Sequence, residues 1–217
     1  MARSHTNDWK DPERIPRMID SYEARYGPDF WSQFMDLVGT ESRAVVADFG
    51  CGPGVFLKDA AERFEAHEIH GYDASKYMLE AAAKILGEAI SKGKILLHRT
   101  NFDNEPFDID PDSIDLGFSG YMLHEVADPS KFVDQIAVTI RGGGRYAILD
   151  FVSGDKEAFV RTMTSRGMTE EKARRRYPHM CKHSVDDIER ILLAAGFSSV
   201  EHRMLDEARV IAVGLRE

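Results

Sequence analysis

The densest chemistry in the chain lies in seven consecutive residues, Asp48-Phe49-Gly50-Cys51-Gly52-Pro53-Gly54. The apolar run before them, residues 44–49, reads as a buried strand. Residues 55–64 follow with Phe56, Leu57, Ala60, Ala61 and Phe64 at helical spacing. A strand-to-helix turn at the carboxyl edge of a parallel sheet is where such sheets bind ligands. Glycines in that turn tolerate positive φ and let bare backbone approach a ligand that a Cβ would hold off. Residues 68–73 read as the next strand, ending in Asp73. An acid about twenty residues past the loop sits at the neighbouring strand tip, placed to accept from both hydroxyls of a ribose. The other reading of Asp73 is an ordinary acid at a helix start, ahead of Ser75. The spacing favours an adenosine-type ligand.

Two families of cofactor carry that nucleoside. The dinucleotide fingerprint spaces its glycines G-x-G-x-x-G/A, and here its third position falls on Val55, too branched for close helix–strand packing. The glycines run G-x-G-x-G instead. Asp48 would repel a pyrophosphate but attract the sulfonium and ammonium of S-adenosylmethionine. Both points favour S-adenosylmethionine over NAD(P) and hydride transfer.

The surrounding elements alternate as strand and helix, the pattern of a three-layer α/β/α sandwich with a mostly parallel sheet. Ser75 caps a helix running to about Leu86. Residues 95–100 and 114–120 read as strands, and a helix over 130–139 is stopped by Gly142, Gly143 and Gly144. Residues 145–151 make the fifth strand, and 155–176 a charged helix. Ser184 caps a further helix that ends at Gly196. Strands at 198–204 and 208–215 are joined by so short a turn that they must pair antiparallel. The first forty residues carry Trp9, Tyr22, Tyr26, Phe30, Trp31 and Phe34 on one or two helices broken at Gly27-Pro28. Such an aromatic face either docks on the sheet or covers the ligand pocket, and the two are compatible.

With these blocks in order, the chain resembles the class I S-adenosylmethionine-dependent methyltransferases, of the broad group that methylates small molecules such as quinone precursors. The resemblance rests on ADFGCGPG (47–54), GYDAS (71–75), NFDNEPF (101–107), DLGFSGYMLHEVADP (115–129) and RGGGRYAILDF (141–151). It implies a single domain over 1–217, with a seven-stranded sheet whose last strand is antiparallel. An N-terminal helical lid over 1–40 and a helical insertion over 155–183 near the acceptor pocket complete it. It implies that Asp48, Gly50, Cys51, Gly52 and Gly54 line the methionine part, that Asp73 takes the ribose hydroxyls, and that Ala74 and Met78 flank the adenine. Asn101 stands where the family has an acid for the adenine amino group, followed by Phe102; an Asn oxygen still accepts that bond. Ser119, Gly120 and Tyr121 are expected beneath the methyl donor, with Tyr22 and Tyr26 closing over its methionine end. The activity implied is in-line methyl transfer to an oxygen, nitrogen, sulfur or carbon, leaving S-adenosylhomocysteine.

His124, beyond the fourth strand, faces the expected acceptor side and is a candidate base. Similar enzymes often carry His here without a proton role, and methyl transfer needs alignment more than a base. Between 161 and 183, Arg161, Arg166, Lys172, Arg174, Arg175, Arg176 and Lys182 form either a solvated helix face or a site for an anionic acceptor. His179-x-Cys181-x-His183 has metal-ligand types, but no fourth ligand follows, and no metal is expected.

A net charge of −9 argues against a nucleic-acid substrate. Two cysteines are too few for a disulfide framework. The absence of a long apolar run argues against membrane insertion, and cytoplasmic location is the expectation. Monomer and homodimer stay open. A protein that binds the cofactor without catalysis and acts through a partner also satisfies these residues.

Overall fold

Strand-period apolar runs supply one sheet, and amphipathic stretches cover both its faces. The computed structural model describes residues 12–105 and 107–217; Trp9 and the first eleven residues of the expected lid lie outside them. Seven strands form among the described residues: β1 (Val45–Phe49), β2 (Glu68–Asp73), β3 (Ile95–Arg99), β4 (Ile114–Gly120), β5 (Ile140–Phe151), β6 (Ser199–Asp206) and β7 (Arg209–Leu215). Their order is β3-β2-β1-β4-β5-β7-β6. Pairings from β3 through β5 are parallel, and β7 runs antiparallel to both β5 and β6. The reversed last strand and its short hairpin agree with the sequence reading.

Alternation along each strand divides the core. Val46, Leu116, Phe118, Leu149 and Ile211 face one layer, with α3 (Pro28–Val38) and α4 (Val55–Arg63). Ala47, Phe49, Ile148 and Val210 face the other, with α7 (Pro129–Thr139) and α10 (Val185–Ala194). α5 (Lys76–Ile85) takes its start from Ser75, whose hydroxyl accepts from Met78 N–H.

The N-terminal aromatics do both expected jobs, on different helices. α3 is docked: Trp31 stacks on Phe56 at 5.3 Å, and Phe56 on Phe118 at 4.0 Å. α1 (Ile15–Asp20) and α2 (Tyr22–Tyr26) instead reach the pocket described below. The break at Gly27-Pro28 forms as expected, and Ser21 adds a second.

Two boundaries differ from expectation. The charged stretch is two helices, α8 (Lys156–Ser165) and α9 (Glu170–Met180), because Gly167 turns left-handed at φ 82° and Thr169 caps a new start. Gly142–Gly144 do not stop α7; Ile140 is already extended. The glycines instead form a bulge, where Ile114 pairs Ile140 but Leu116 pairs Arg145. Among the described residues no helix is long and apolar enough to cross a membrane.

Candidate active site

β1 has β2 on one side and β4 on the other, so the strand order reverses there, and the crevice opens at the carboxyl ends of these strands. The loop after β1 is pinned open. Gly50 and Cys51 N–H both donate to Tyr72 carbonyl, at 2.8 and 2.9 Å. Gly50 and Gly52 hold φ of 97° and 53°, and a Cβ on Gly50 would run into Met122.

Asp73 ties this loop to the β2 tip. One carboxylate oxygen accepts from Gly52 N–H at 2.9 Å, the other from Ser75 N–H at 2.8 Å. Burial raises its proton affinity, and those two bonds work against the rise. Asp48 is 2% exposed, and its Oδ1 has no hydrogen-bond partner among the described residues. Burial, then the charge of Asp73, pushes its pKa well above the carboxylate range. A buried carboxylate costs several kcal/mol unless a cation or donor meets it. A cationic ligand on the loop fits that deficit. A pyrophosphate would worsen it.

These residues line one end of a cavity of about 610 Å³, within the range of about 300–1,000 Å³ for small-ligand sites. Asp48, Gly50, Cys51, Gly52, Asp73, Ala74, Met78, Asn101, Phe102, Gly120, Tyr121, Tyr26 and His124 all contribute to its wall. Three expected residues do not. Gly54 is the N-cap of α4 and abuts Ala82 and Leu86. Ser119 points through the opposite face of the sheet, its hydroxyl 2.6 Å from that of Tyr146, because neighbours on a strand alternate. Tyr22 turns outward, and its hydroxyl donates to Asp59. Cys51 is buried, its thiol pushed well above the usual range, so it packs rather than reacts. The Asn101 side-chain oxygen accepts from Asp103 N–H at 3.3 Å. Asp103, two residues on, also reaches the wall, and sequence reading missed it.

Tyr121 and His124 follow β4. Tyr121 sits in the left-handed region at φ 61°, a strained conformation for its type. Its hydroxyl accepts from the buried Arg209 at 2.9 Å, while Arg209 and Arg166 both bond Asp206. His124 is gripped by Asp150: Nδ1 lies 2.6 Å from one carboxylate oxygen, and the His124 N–H donates to the other at 3.0 Å. Burial alone would lower its pKa, but Asp150 and then Glu125 outweigh it and raise the pKa to about 9. The ring holds its proton at neutral pH, and a base role, or ligation of a cation through Nε2, requires that proton to leave first.

The rest of the wall comes from Phe151, Met163, Met168 and Met180, with Arg166 and Arg176 from the helical insertion and Arg14 and Arg17 from the N-terminal segment, while Met18 reaches back to Gly52 of the glycine loop. Six of the nine methionines line the cavity; unbranched, polarisable side chains fill irregular space and adapt to the ligand. Of the cations expected here, Arg161 pairs with Glu207, and Arg174 pairs with Glu157 and Glu170, all on the exposed surface. α9 runs through His179 and ends at Met180, which breaks the extended run, and Cys181 is buried in the apolar cluster with Phe151, Met163 and Met168.

Residues 47–148 match the family model of a methyltransferase domain. A Methanococcus maripaludis protein provisionally named an S-adenosylmethionine-dependent methyltransferase superposes with a TM-score of 0.72 at 20% identity, over 100% of this chain and 97% of that one. Phosphoethanolamine N-methyltransferase 2 of Haemonchus contortus, in complex with phosphomonomethylethanolamine and S-adenosylhomocysteine, gives 0.71 at 16% identity, over 99% of this chain; the chain spans 60% of that enzyme's length. Geranyl diphosphate C-methyltransferase of Streptomyces coelicolor, with Mg²⁺, geranyl diphosphate and S-adenosylhomocysteine, gives 0.67 at 14% identity, over 100% and 88%. No curated protein matches the sequence. Residues 47–148, just under half of the chain, thus match a methyltransferase domain, and the fold around them is that of the class I S-adenosylmethionine-dependent methyltransferases.

Proposed function

We propose that the protein transfers the methyl group of S-adenosylmethionine to a small-molecule nucleophile bearing an anionic group. The observation that carries this is the polarity of one cavity: the buried Asp48, with one oxygen lacking a hydrogen-bond partner, on the glycine loop, and Arg166, paired with Asp206, and Arg176 from the insertion. The first suits a cationic cofactor and the second an acceptor with a carboxylate or phosphate. The Haemonchus and Streptomyces enzymes, with their phosphorylated ligands, support that acceptor class by analogy. The net charge of −9 speaks for a small acceptor over a nucleic acid.

When bound, S-adenosylmethionine supplies a methyl group activated by a positively charged sulfur. The chain's own work is alignment and exclusion of water. Asp73 and the Gly50–Gly52 backbone fix the nucleoside, and Asp48 meets the ammonium. Tyr121, held by Arg209, stands between the two ends of the cavity. Residues of α1, α2, α8 and α9 roof it, the N-terminal ones as a lid. Arg166 and Arg176 orient the acceptor.

Turnover against phosphate- and carboxylate-bearing amines, phenols and thiols, read as S-adenosylhomocysteine formed, tests this. Turnover confined to the anionic members is expected. Turnover only of neutral members would overturn the acceptor class. Tight cofactor binding with no product from any acceptor would favour a non-catalytic partner protein.

A further inference from the structure

Two imidazoles and a carboxylate converge beside the cavity wall, contributed by segments far apart in the chain. His124 and Glu125 follow β4, and His179 comes from the last turn of α9. His124 Nε2 and His179 Nε2 each lie 3.4 Å from the same Glu125 oxygen, and the three donor atoms all fall within 4.8 Å of one another. At 3.4 Å these contacts are long for hydrogen bonds. They match the edge of a coordination tetrahedron, since bonds of about 2.0–2.1 Å set ligand atoms about 3.3–3.4 Å apart. The two rings stand nearly perpendicular, with centroids 5.8 Å apart.

We propose that His124, Glu125 and His179 bind a divalent cation of the zinc class, with an open position toward the acceptor cavity. Two further observations support the site. Asp150 holds the other nitrogen of His124 at 2.6 Å, the outer carboxylate that fixes a ligating imidazole's tautomer and raises its donor strength. His124 and Glu125 also line the cavity, and so do Arg176 and Met180 on either side of His179. Three protein ligands with a fourth position left open are the arrangement of a catalytic zinc, and imidazole with carboxylate suits zinc over calcium or magnesium. Bound there, the ion fastens α9 to the β4 tip. It also offers a coordination place to an oxygen, nitrogen or sulfur of the acceptor, a role that rests on the methyl-transfer reading. Binding of the ion does not.

The test uses the full chain without an affinity tag, stripped by chelator and titrated with Zn²⁺ against a chromophoric competitor. One ion per chain is expected. His179→Ala and Glu125→Gln should each weaken binding at least about 10-fold, while Cys181→Ser leaves it within twofold. Unchanged S-adenosylmethionine affinity in each variant shows that the fold is retained. Co²⁺ in place of Zn²⁺ should give visible absorption of tetrahedral type, lost in His179→Ala. No uptake by the native chain, or uptake that survives His179→Ala and Glu125→Gln, overturns the site. Because neither acceptor nor turnover enters, such a result leaves the proposed methyl transfer standing.

Discussion

The two ends of the cavity are built in opposite ways. The cofactor end uses backbone N–H groups, glycines and two acids from a short stretch, Asp48 to Asp73, around two adjacent strand tips. The acceptor end uses long side chains from distant segments, Arg14 and Arg17, Tyr121 to Val126, and Met163 to Met180, while Met18 and Met122 reach back to the glycine loop. A backbone site must be rigid, because it recognises one fixed nucleoside and glycine-loop geometry cannot adjust. A site of methionines and arginines adapts, so the same fold can serve many acceptors. Substitutions at the two ends should therefore fail in separable ways.

The largest effect is expected from Asp73→Ala. It removes two charge-assisted hydrogen bonds to a ligand and the tie to Gly52, so calorimetry should show S-adenosylmethionine affinity about 100-fold lower. Affinity within threefold of native would mean that the nucleoside lies elsewhere. Gly50→Ala should follow at about 10-fold. At φ 97° a Cβ adds about 1–3 kcal/mol of strain and meets Met122, so the melting temperature should fall as well. At the acceptor end, Arg166→Gln or Arg176→Gln should raise KM for an anionic acceptor about 10-fold, with cofactor affinity within twofold of native. A parallel loss of cofactor affinity would erase the distinction between the ends.

The smallest effect belongs outside both. Asp187 completes the capping box of α10; the Ser184 N–H, then its hydroxyl and Arg190, lower its pKa to about 2. A lowered carboxylate pKa contributes stability that is present above about pH 4 and fades as pH falls toward 2. Asp187→Asn should cost about 1 kcal/mol or less at pH 7, flatten that part of the acid limb in thermal melts, and leave cofactor affinity unchanged.

The same contrast explains what could be read from residues alone. The glycine loop, Asp48 and Asp73 were legible because strand, turn and helix periodicity place them locally, and the loop chemistry is dictated by the backbone. Ser119 was misplaced by one position, enough on a strand to send it through the sheet to Tyr146. Gly54 and Tyr22 share a segment with true wall residues but serve packing and an outward hydrogen bond. The acceptor wall was legible only as a region, the insertion over 155–183. Met163, Met168 and Met180 look like core in a sequence, Arg166 and Arg176 were left between solvated surface and an acceptor site, and the break at Gly167 turns two helices so that both kinds meet. His179 shows the point most plainly: its sequence neighbours Cys181 and His183 suggested one grouping, and the fold gave it His124 and Glu125 instead.

The account rests on a cationic nucleoside cofactor seated on the loop between β1 and α4. Calorimetric titration of the native chain with S-adenosylmethionine, and separately with NAD, tests this most directly. One-to-one binding of S-adenosylmethionine with no heat from NAD is predicted. Binding of NAD, or no binding of S-adenosylmethionine, would contradict it.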